Sequence, residues 1–277
     1  MLTGQKVALA TKHGKEKIFS RLFSEINCEL VLAPFDTDNF GTFSGEVARE
    51  KSPKATAIAK AHAAAQAAET NFAVASEGTI GPHPQLPLIT ADVEWIAFVD
   101  RSRGIEIAEH LVSTAIVAVQ ETWSPSLDVE KLAAKANLPD HSLIARAREG
   151  LSFWSRKGIK TIEELNQVVA DFQLLGWNTE LVFESDFRAM ESPTRMKNIE
   201  RAAGQLVSRL STLCPECQMY GFGVVAYEHG LPCLGCGEVV PDVISAERLG
   251  CLVCSVEVIK PREATAVEPG RCYNCNP

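Results

Sequence analysis

The sequence predicts an α/β protein: a mixed, mainly parallel sheet with flanking helices, followed by a C-terminal double zinc ribbon. Three observations carry that expectation. Apolar runs of strand length alternate with helical periodicity over residues 1–120. Eight of the nine cysteines lie beyond residue 213, in four Cys-x-x-Cys pairs. The 277 residues, 46% hydrophobic and 22% charged, have a globular composition and a length suited to about two domains. The expected division is an α/β domain over 1–213 and a zinc module over 214–277.

Each element has a local reason. Gln5–Ala10 is an apolar strand, and Lys15–Glu25 is a helix with Ile18, Leu22, Phe23 and Ile26 on one face. Cys28–Ala33 is a second strand closed by Pro34, so the chain begins β-α-β, a unit that favours parallel pairing. Ser52-Pro53 supplies an N-cap and a first-turn proline for a helix reaching about Thr70. Its apolar face is nearly all alanine, so it should approach the sheet closely. Asn71–Ser76 is the third strand, ending at Glu77-Gly78. A loop stiffened by Pro82, Pro84 and Pro87 leads to a hairpin of Val93–Asp100 and Ile105–Val119, turning at Ser102-Arg103-Gly104. Beyond it come a short helix near Asp128–Ala136 and a strand at Ser142–Ala147. Then follow an amphipathic helix at Thr161–Leu175, a strand at Thr179–Ser185 and a helix at Arg195–Leu213.

Charge and targeting narrow the function classes. The 27 basic and 35 acidic side chains leave a formal −8, which argues against a nucleic-acid coat. No window approaches roughly 18 uninterrupted apolar residues, so no membrane span is expected. Val7–Ala10 before Lys12 is too short for a secretory core, and a cytoplasmic location is expected.

The cysteine pairs are Cys214/Cys217, Cys233/Cys236, Cys251/Cys254 and Cys272/Cys275; Cys28 stands apart. In a chain without export signals they point to metal rather than disulfides. The gaps between pairs are 15, 14 and 17 residues, and those of 15 and 17 fit ribbon spacing. Each of these two also holds a candidate hairpin, Phe222–Tyr227 before Glu228-His229-Gly230 and Ser255–Lys260 before Pro261-Arg262. The expected pairing is sequential: Cys214, Cys217, Cys233 and Cys236 on one Zn²⁺, and Cys251, Cys254, Cys272 and Cys275 on the other. An interleaved cross-brace, first pair with third and second with fourth, competes with it. Closed four-thiolate sites are structural rather than catalytic. Residues 214–277 carry four Lys/Arg against eight Asp/Glu, and thiolate-bound zinc adds more negative charge, which disfavours phosphate-backbone binding.

Ligands of a mainly parallel sheet bind beyond the strands' carboxyl ends. The first strand is followed by Thr11-Lys12-His13-Gly14-Lys15 and the second by Asp36, Thr37 and Asp38, then Glu46 and Arg49. The third is followed by Glu77, and the later strand by Glu184, Asp186, Arg188 and Arg195. Acidic and basic groups thus alternate, as a divalent cation with a polyphosphate requires. Glu77 and Glu46 are the catalytic candidates. Lys12, Lys15, Arg49, Lys60, Arg188 and Arg195 are the phosphate-binding candidates. Asp36, Asp38, Glu46, Glu77 and Asp186 are the magnesium candidates. Taken one at a time, these side chains equally suit solvated loops, helix caps or surface ion pairs.

Ala10-Thr11 with its basic stretch, Ser52-Pro53, Ala57-x-x-Lys60-Ala61 and a strand ending in Glu77-Gly78 resemble the Maf-like and inosine-triphosphatase-like nucleotide pyrophosphatases. The resemblance covers about 110 residues. It implies an α/β fold and Mg²⁺-dependent hydrolysis of nucleoside triphosphates, with Lys12 and Lys15 on phosphate, Lys60 on the alanine-rich helix, and Glu77 on metal or water. His13 stands where that pattern has asparagine, and Ser76-Glu77-Gly78 replaces its Asp-Asp or Asp-Thr. The whole chain also resembles an uncharacterised bacterial family through Ala10–Glu16, Asp36–Glu46, Ala75–Pro84, Glu184–Met196 and Cys272–Pro277.

The preferred expectation is a Mg²⁺-dependent hydrolase acting on a phosphorylated, nucleotide-like small molecule, with two structural Zn²⁺. A non-enzymatic zinc-ribbon adaptor or ligand-binding protein is the alternative, and an RNA-binding zinc-ribbon protein the second. The sequence leaves open whether the chain forms a homo-oligomer.

Overall fold

Short β-branched and alanine-rich runs build a five-stranded sheet in the N-terminal part of the chain. The computed structural model describes residues 2–11, 14–35, 37–40 and 51–277, without the side chains of 38 and 39. Contacts divide the chain into two units, Gly4–Leu206 and Val207–Pro277, the second joined by the first few residues.

In Gly4–Leu206, β1 (Lys6–Ala10), α1 (Glu16–Ser24) and β2 (Glu29–Leu32) form the expected β-α-β unit. α2 (Pro53–Ala67) then returns the chain to β3 (Phe72–Pro82). β4 (Thr90–Asp100) and β5 (Ile105–Ser113) complete a sheet of order β2-β1-β3-β4-β5. Parallel pairing is confined to β1 with β2 and β3; β3, β4 and β5 pair antiparallel. A second sheet, ordered β6-β9-β7-β8, is antiparallel throughout, from β6 (Gln120–Thr122), β7 (Leu143–Glu149), β8 (Ser152–Ile159) and β9 (Val182–Ser185). The expectation of a mainly parallel sheet is therefore corrected to a mixed, mostly antiparallel architecture. The reason is the connections: crossover helices join only the first three strands, and short turns join β3 to β4 and β4 to β5, which allow antiparallel return alone.

α2 begins at Ser52, whose Oγ accepts from the Ala55 amide, with Pro53 in its first turn. Ala61, Ala64 and Ala65 of α2 pack on Ala8, Ala10, Ala73, Ala75 and Val99 of the sheet. Side chains this small on both surfaces let the helix lie close to the strands, which brings Lys60 within reach of β3. The second sheet is covered by α3 (Val129–Lys135) and by α4 (Ile162–Leu174), which starts with a Thr161/Glu164 capping box. Leu132, Leu143, Leu165, Phe172, Leu181 and Phe183 form the core there. β6 and β8 were not expected from the sequence. α5 (Pro193–Ser211) closes the unit and runs past its boundary.

Val207–Pro277 is a three-stranded antiparallel sheet of β10 (Gly223–Pro232), β11 (Val239–Gly250) and β12 (Glu257–Pro261). No described helix is long and apolar enough to cross a membrane.

Candidate functional site

The cysteine clusters follow from strand length. Glu228-His229-Gly230 does not turn the chain. It is absorbed as irregularities in a pairing that continues to Pro232 opposite Val239, with Gly230 at φ 103°. β10 therefore runs ten residues, roughly 30 Å at ~3.3 Å per residue, and carries Cys233 and Cys236 far from Cys214 and Cys217. β11 runs back the same way, and Gly250 pairs with Gly223, so Cys251 and Cys254 arrive beside the first pair. The sequential pairing is thus corrected to the interleaved one: Cys214, Cys217, Cys251 and Cys254 in one cluster, and Cys233, Cys236, Cys272 and Cys275 in the other.

Both clusters fit zinc. A tetrahedron with ~2.3 Å Zn–S bonds has S–S edges of about 3.8 Å. Cys214–Cys254 and Cys217–Cys251 sulfurs lie 3.5 and 3.6 Å apart, and Cys233–Cys275 and Cys236–Cys272 sulfurs 3.8 and 3.7 Å. These distances are far beyond a disulfide bond. Backbone amides of Gly235, and of Val253 and Cys254, donate to Cys233 Sγ and Cys251 Sγ, the outer-shell support that fixes thiolate ligands. A four-thiolate set leaves no open position, so the chemistry it offers is structural.

A second constellation lies in Gly4–Leu206, where β1 ends and β3 continues past it. Lys15, just before α1, donates from Nζ to Ser76 Oγ at 2.9 Å. On the other face of β3, Lys60 Nζ lies 2.6 Å from Glu77 Oε2. Gly78 pairs with Glu94 of β4, and Glu94 Oε1 accepts from Arg195 Nε at 2.6 Å. Two residues before Glu94, Asp92 Oδ2 accepts from Asn198 Nδ2 at 2.9 Å. Arg195 also donates through Nη1 to the carbonyl of Phe187. Every one of these side chains is buried, with Asp92 and Glu94 at 0% and Arg195 at 1% exposure. Gly78 is required by this approach, since a Cβ there would stand 2.6 Å from Arg195 Nη2.

Burial pushes the Lys15 ammonium down to about 8; repulsion from Arg195 and Lys60 acts with it, while Glu94 and Glu77 oppose it. Burial also pushes Asp92 up to about 7, Glu94 adding to the shift and Asn198 and Arg195 opposing it. Three buried cations and three buried carboxyls, distributed over the two faces of β3 and β4, make this a region of uneven field, the kind of place where functional sites concentrate. The Thr11 hydroxyl, one residue past the Ala10–Ala75 register pair, is buried with no hydrogen-bond partner among the described residues.

A cleft of about 460 Å³ lies next to this cluster, with Ile80, Thr90, Gln120, Ile144, Glu184 and Phe187 in its wall. Arg146 pairs with Glu184 there. Arg188 grips Asp186 with Nε and Nη2, its Nη2 lying 2.6 Å from Asp186 Oδ2. Phe187 belongs to the cleft and accepts from Arg195, which joins the two features.

Of the expected site residues, Lys60 pairs with Glu77, while Lys15 bonds Ser76 on the opposite face of β3 and Arg195 bonds Glu94 of β4. Asp186 and Arg188 do not join them: they neutralise one another in the cleft, so Asp186 is no free metal ligand and Arg188 no free phosphate donor. Lys12, Asp36, Glu46 and Arg49, and the side chain of Asp38, lie outside the described residues. Asp92, Glu94 and Asn198 were missed by sequence reasoning. Their signal was two carboxylates at i and i+2 of a strand whose same-face neighbours, Ile96 and Phe98, are core. An acid in that position is buried and must find a partner.

A model of a family described as a domain of unknown function (DUF6671) matches residues 60–277. No curated protein matches the chain.

Proposed function

Because the chain belongs to the DUF6671 family, whose description carries no activity, we propose a function from the geometry: Mg²⁺-dependent hydrolysis of a phosphoanhydride in a nucleotide-like small molecule. One observation carries it. Three cations, each at most 8% exposed, are bonded to β3 and β4 near the point where β1 stops: Lys15 to Ser76, Arg195 to Glu94, and Lys60 to Glu77 on the opposite face of β3. Lys15 has a neutral partner there, and a multiply charged anion would offset the cost of burying its charge.

Lys15 and the unpartnered Thr11 hydroxyl are placed to donate to phosphoryl oxygens. Lys60 pairs with Glu77, the residue proposed to orient a water for attack on phosphorus. Arg195 is anchored by Glu94 and the Phe187 carbonyl, with Nη2 beside Gly78. Mg²⁺, when bound, would neutralise phosphoryl charge and lower the pKa of water; Glu77 is the residue proposed to hold it. The adjoining cleft has the size of a small-molecule site. Its mixed walls, with Ile80, Ile144, Phe187, Gln120 and Thr90 beside two ion pairs, suit a heterocycle and sugar. The likeness of Ser52-Pro53, Ala57-x-x-Lys60-Ala61 and Glu77-Gly78 to the Maf-like and inosine-triphosphatase-like pyrophosphatases supports the same reading.

The test is phosphate and pyrophosphate release from a panel of nucleotides with and without Mg²⁺. Wild type is expected to turn over at least one of them, and Glu77→Gln to lose roughly 10²–10⁴-fold. Equal turnover by Glu77→Gln removes Glu77 from the reaction, and silence of the wild type across the panel contradicts hydrolysis.

A further inference from the structure

The Asp92–Glu94 pair has an arrangement that the proposed reaction does not explain. Both side chains are at 0% exposure and lie on one face of β4. One oxygen of each is engaged: Asp92 Oδ2 with Asn198 and Glu94 Oε1 with Arg195. The other two, Asp92 Oδ1 and Glu94 Oε2, are buried and have no donor among the described residues, and the two carboxyls are same-face neighbours, two residues apart on β4. Two neighbouring buried acceptors without a donor cost free energy, and two full charges there cost more. A single proton between them removes both costs.

We propose that Asp92 and Glu94 share one proton, carried on Asp92, so that one negative charge remains on Glu94 to hold Arg195 in place. Asp92 is thereby a positioning residue, acting on Arg195 through Glu94. The surroundings agree on every side. On α5, Asn198 donates to Asp92 and Arg195 donates to Glu94. On β5, the register partner of Asp92 is Ser113, whose hydroxyl is turned to the Ala115 amide. On β3 the partner is the apolar Ile80. Lys15, ahead of α1, bonds Ser76, and Lys60 is taken by Glu77 on the far face of the sheet. A proton on Asp92 donates to Glu94 Oε2 while Oδ2 still accepts from Asn198, so all four oxygens are satisfied. The preference of this pair for one proton is consistent with the Asp92 carboxyl lying near 7.

An asparagine reproduces that protonated acid, its amide donating to Glu94 and its carbonyl accepting from Asn198. All four tryptophans, Trp95, Trp123, Trp154 and Trp177, lie within Gly4–Leu206, so their fluorescence reports unfolding of this unit alone. Asp92 binds its proton more tightly folded than unfolded, so its contribution to stability falls as pH rises from about 4 to about 7 and is constant above. The experiment is urea unfolding of full-length wild type, Asp92→Asn and Asp92→Ala at pH 5.5 to 8. The proposal expects Asp92→Asn to gain on wild type by up to tenfold in folding constant per pH unit up to about pH 7, then to hold that lead. It expects Asp92→Ala to be weaker than Asp92→Asn throughout. Parallel pH curves for wild type and Asp92→Asn overturn it, as does Asp92→Asn as unstable as Asp92→Ala. Stabilisation of wild type by Mg²⁺ or Mn²⁺ that Asp92→Asn abolishes also overturns it, because the free oxygens then hold a cation instead of a proton.

Discussion

Gly4–Leu206 is held by apolar side chains packed between sheets and helices, with a few ions buried among them, whereas Val207–Pro277 mixes its apolar packing with its metal ligands. One apolar cluster there is Leu231, Cys233, Val240, Val267 and Cys272, two of them cysteines that also belong to a metal cluster. Ile259, Tyr273 and Leu234 stay exposed there. A sheet of this size cannot close a core on itself and needs a staple. The difference teaches where each unit keeps its charge: thiolates that hold structure in one, ammonium, guanidinium and carboxylate groups that the fold must tolerate in the other.

The largest expected effect breaks the second unit. Stripping zinc with a chelator is expected to unfold Val207–Pro277, since structural zinc supplies on the order of 10 kcal/mol. Tryptophan fluorescence, which sees only Gly4–Leu206, should persist. Paired substitutions sharpen the result. Cys214→Ser with Cys254→Ser should cost one zinc per chain by elemental analysis, and Cys214→Ser with Cys233→Ser both. Sequential ribbons require the reverse.

The next effect strikes the buried ions. Glu94→Gln leaves Arg195 with no carboxylate in a site of 1% exposure, and breaking such a pair costs about 3–5 kcal/mol. Urea unfolding followed by tryptophan fluorescence measures it. A smaller loss is expected for Gly78→Ala, about 1–3 kcal/mol, because the new methyl meets Glu94 and Arg195 side chains that must move. A neutral Gly78→Ala would mean that the Arg195 anchor is loose.

Much of Gly4–Leu206 was legible because local signals agreed with tertiary needs. The Ser52-Pro53 start of α2, the Thr161 cap of α4 and the alanine face of α2 each follow from a single physical rule. Strand direction was less legible, because pairing is set by connection geometry rather than by side-chain pattern. β3 also runs beyond Glu77 to Pro82 and carries the site along its length. The cysteine pairing hid for a related reason: spacing reports that two pairs are a strand apart, and cannot tell a hairpin from one long strand broken by irregularities at Glu228–Leu231. Asp92 and Glu94 were hidden by their strand, whose apolar neighbours made it read as plain core.

The central claim is that the cluster around Lys15 binds a multiply charged anion, and titration calorimetry with inorganic pyrophosphate tests it most directly. Lys15 carries its charge below about 8 and loses it above. Wild type is therefore predicted to bind at pH 7 and, losing one charged hydrogen bond, on the order of tenfold more weakly at pH 9, while Lys15→Met binds weakly at both. No binding by wild type, or equal affinity for wild type and Lys15→Met at pH 7, would contradict the account.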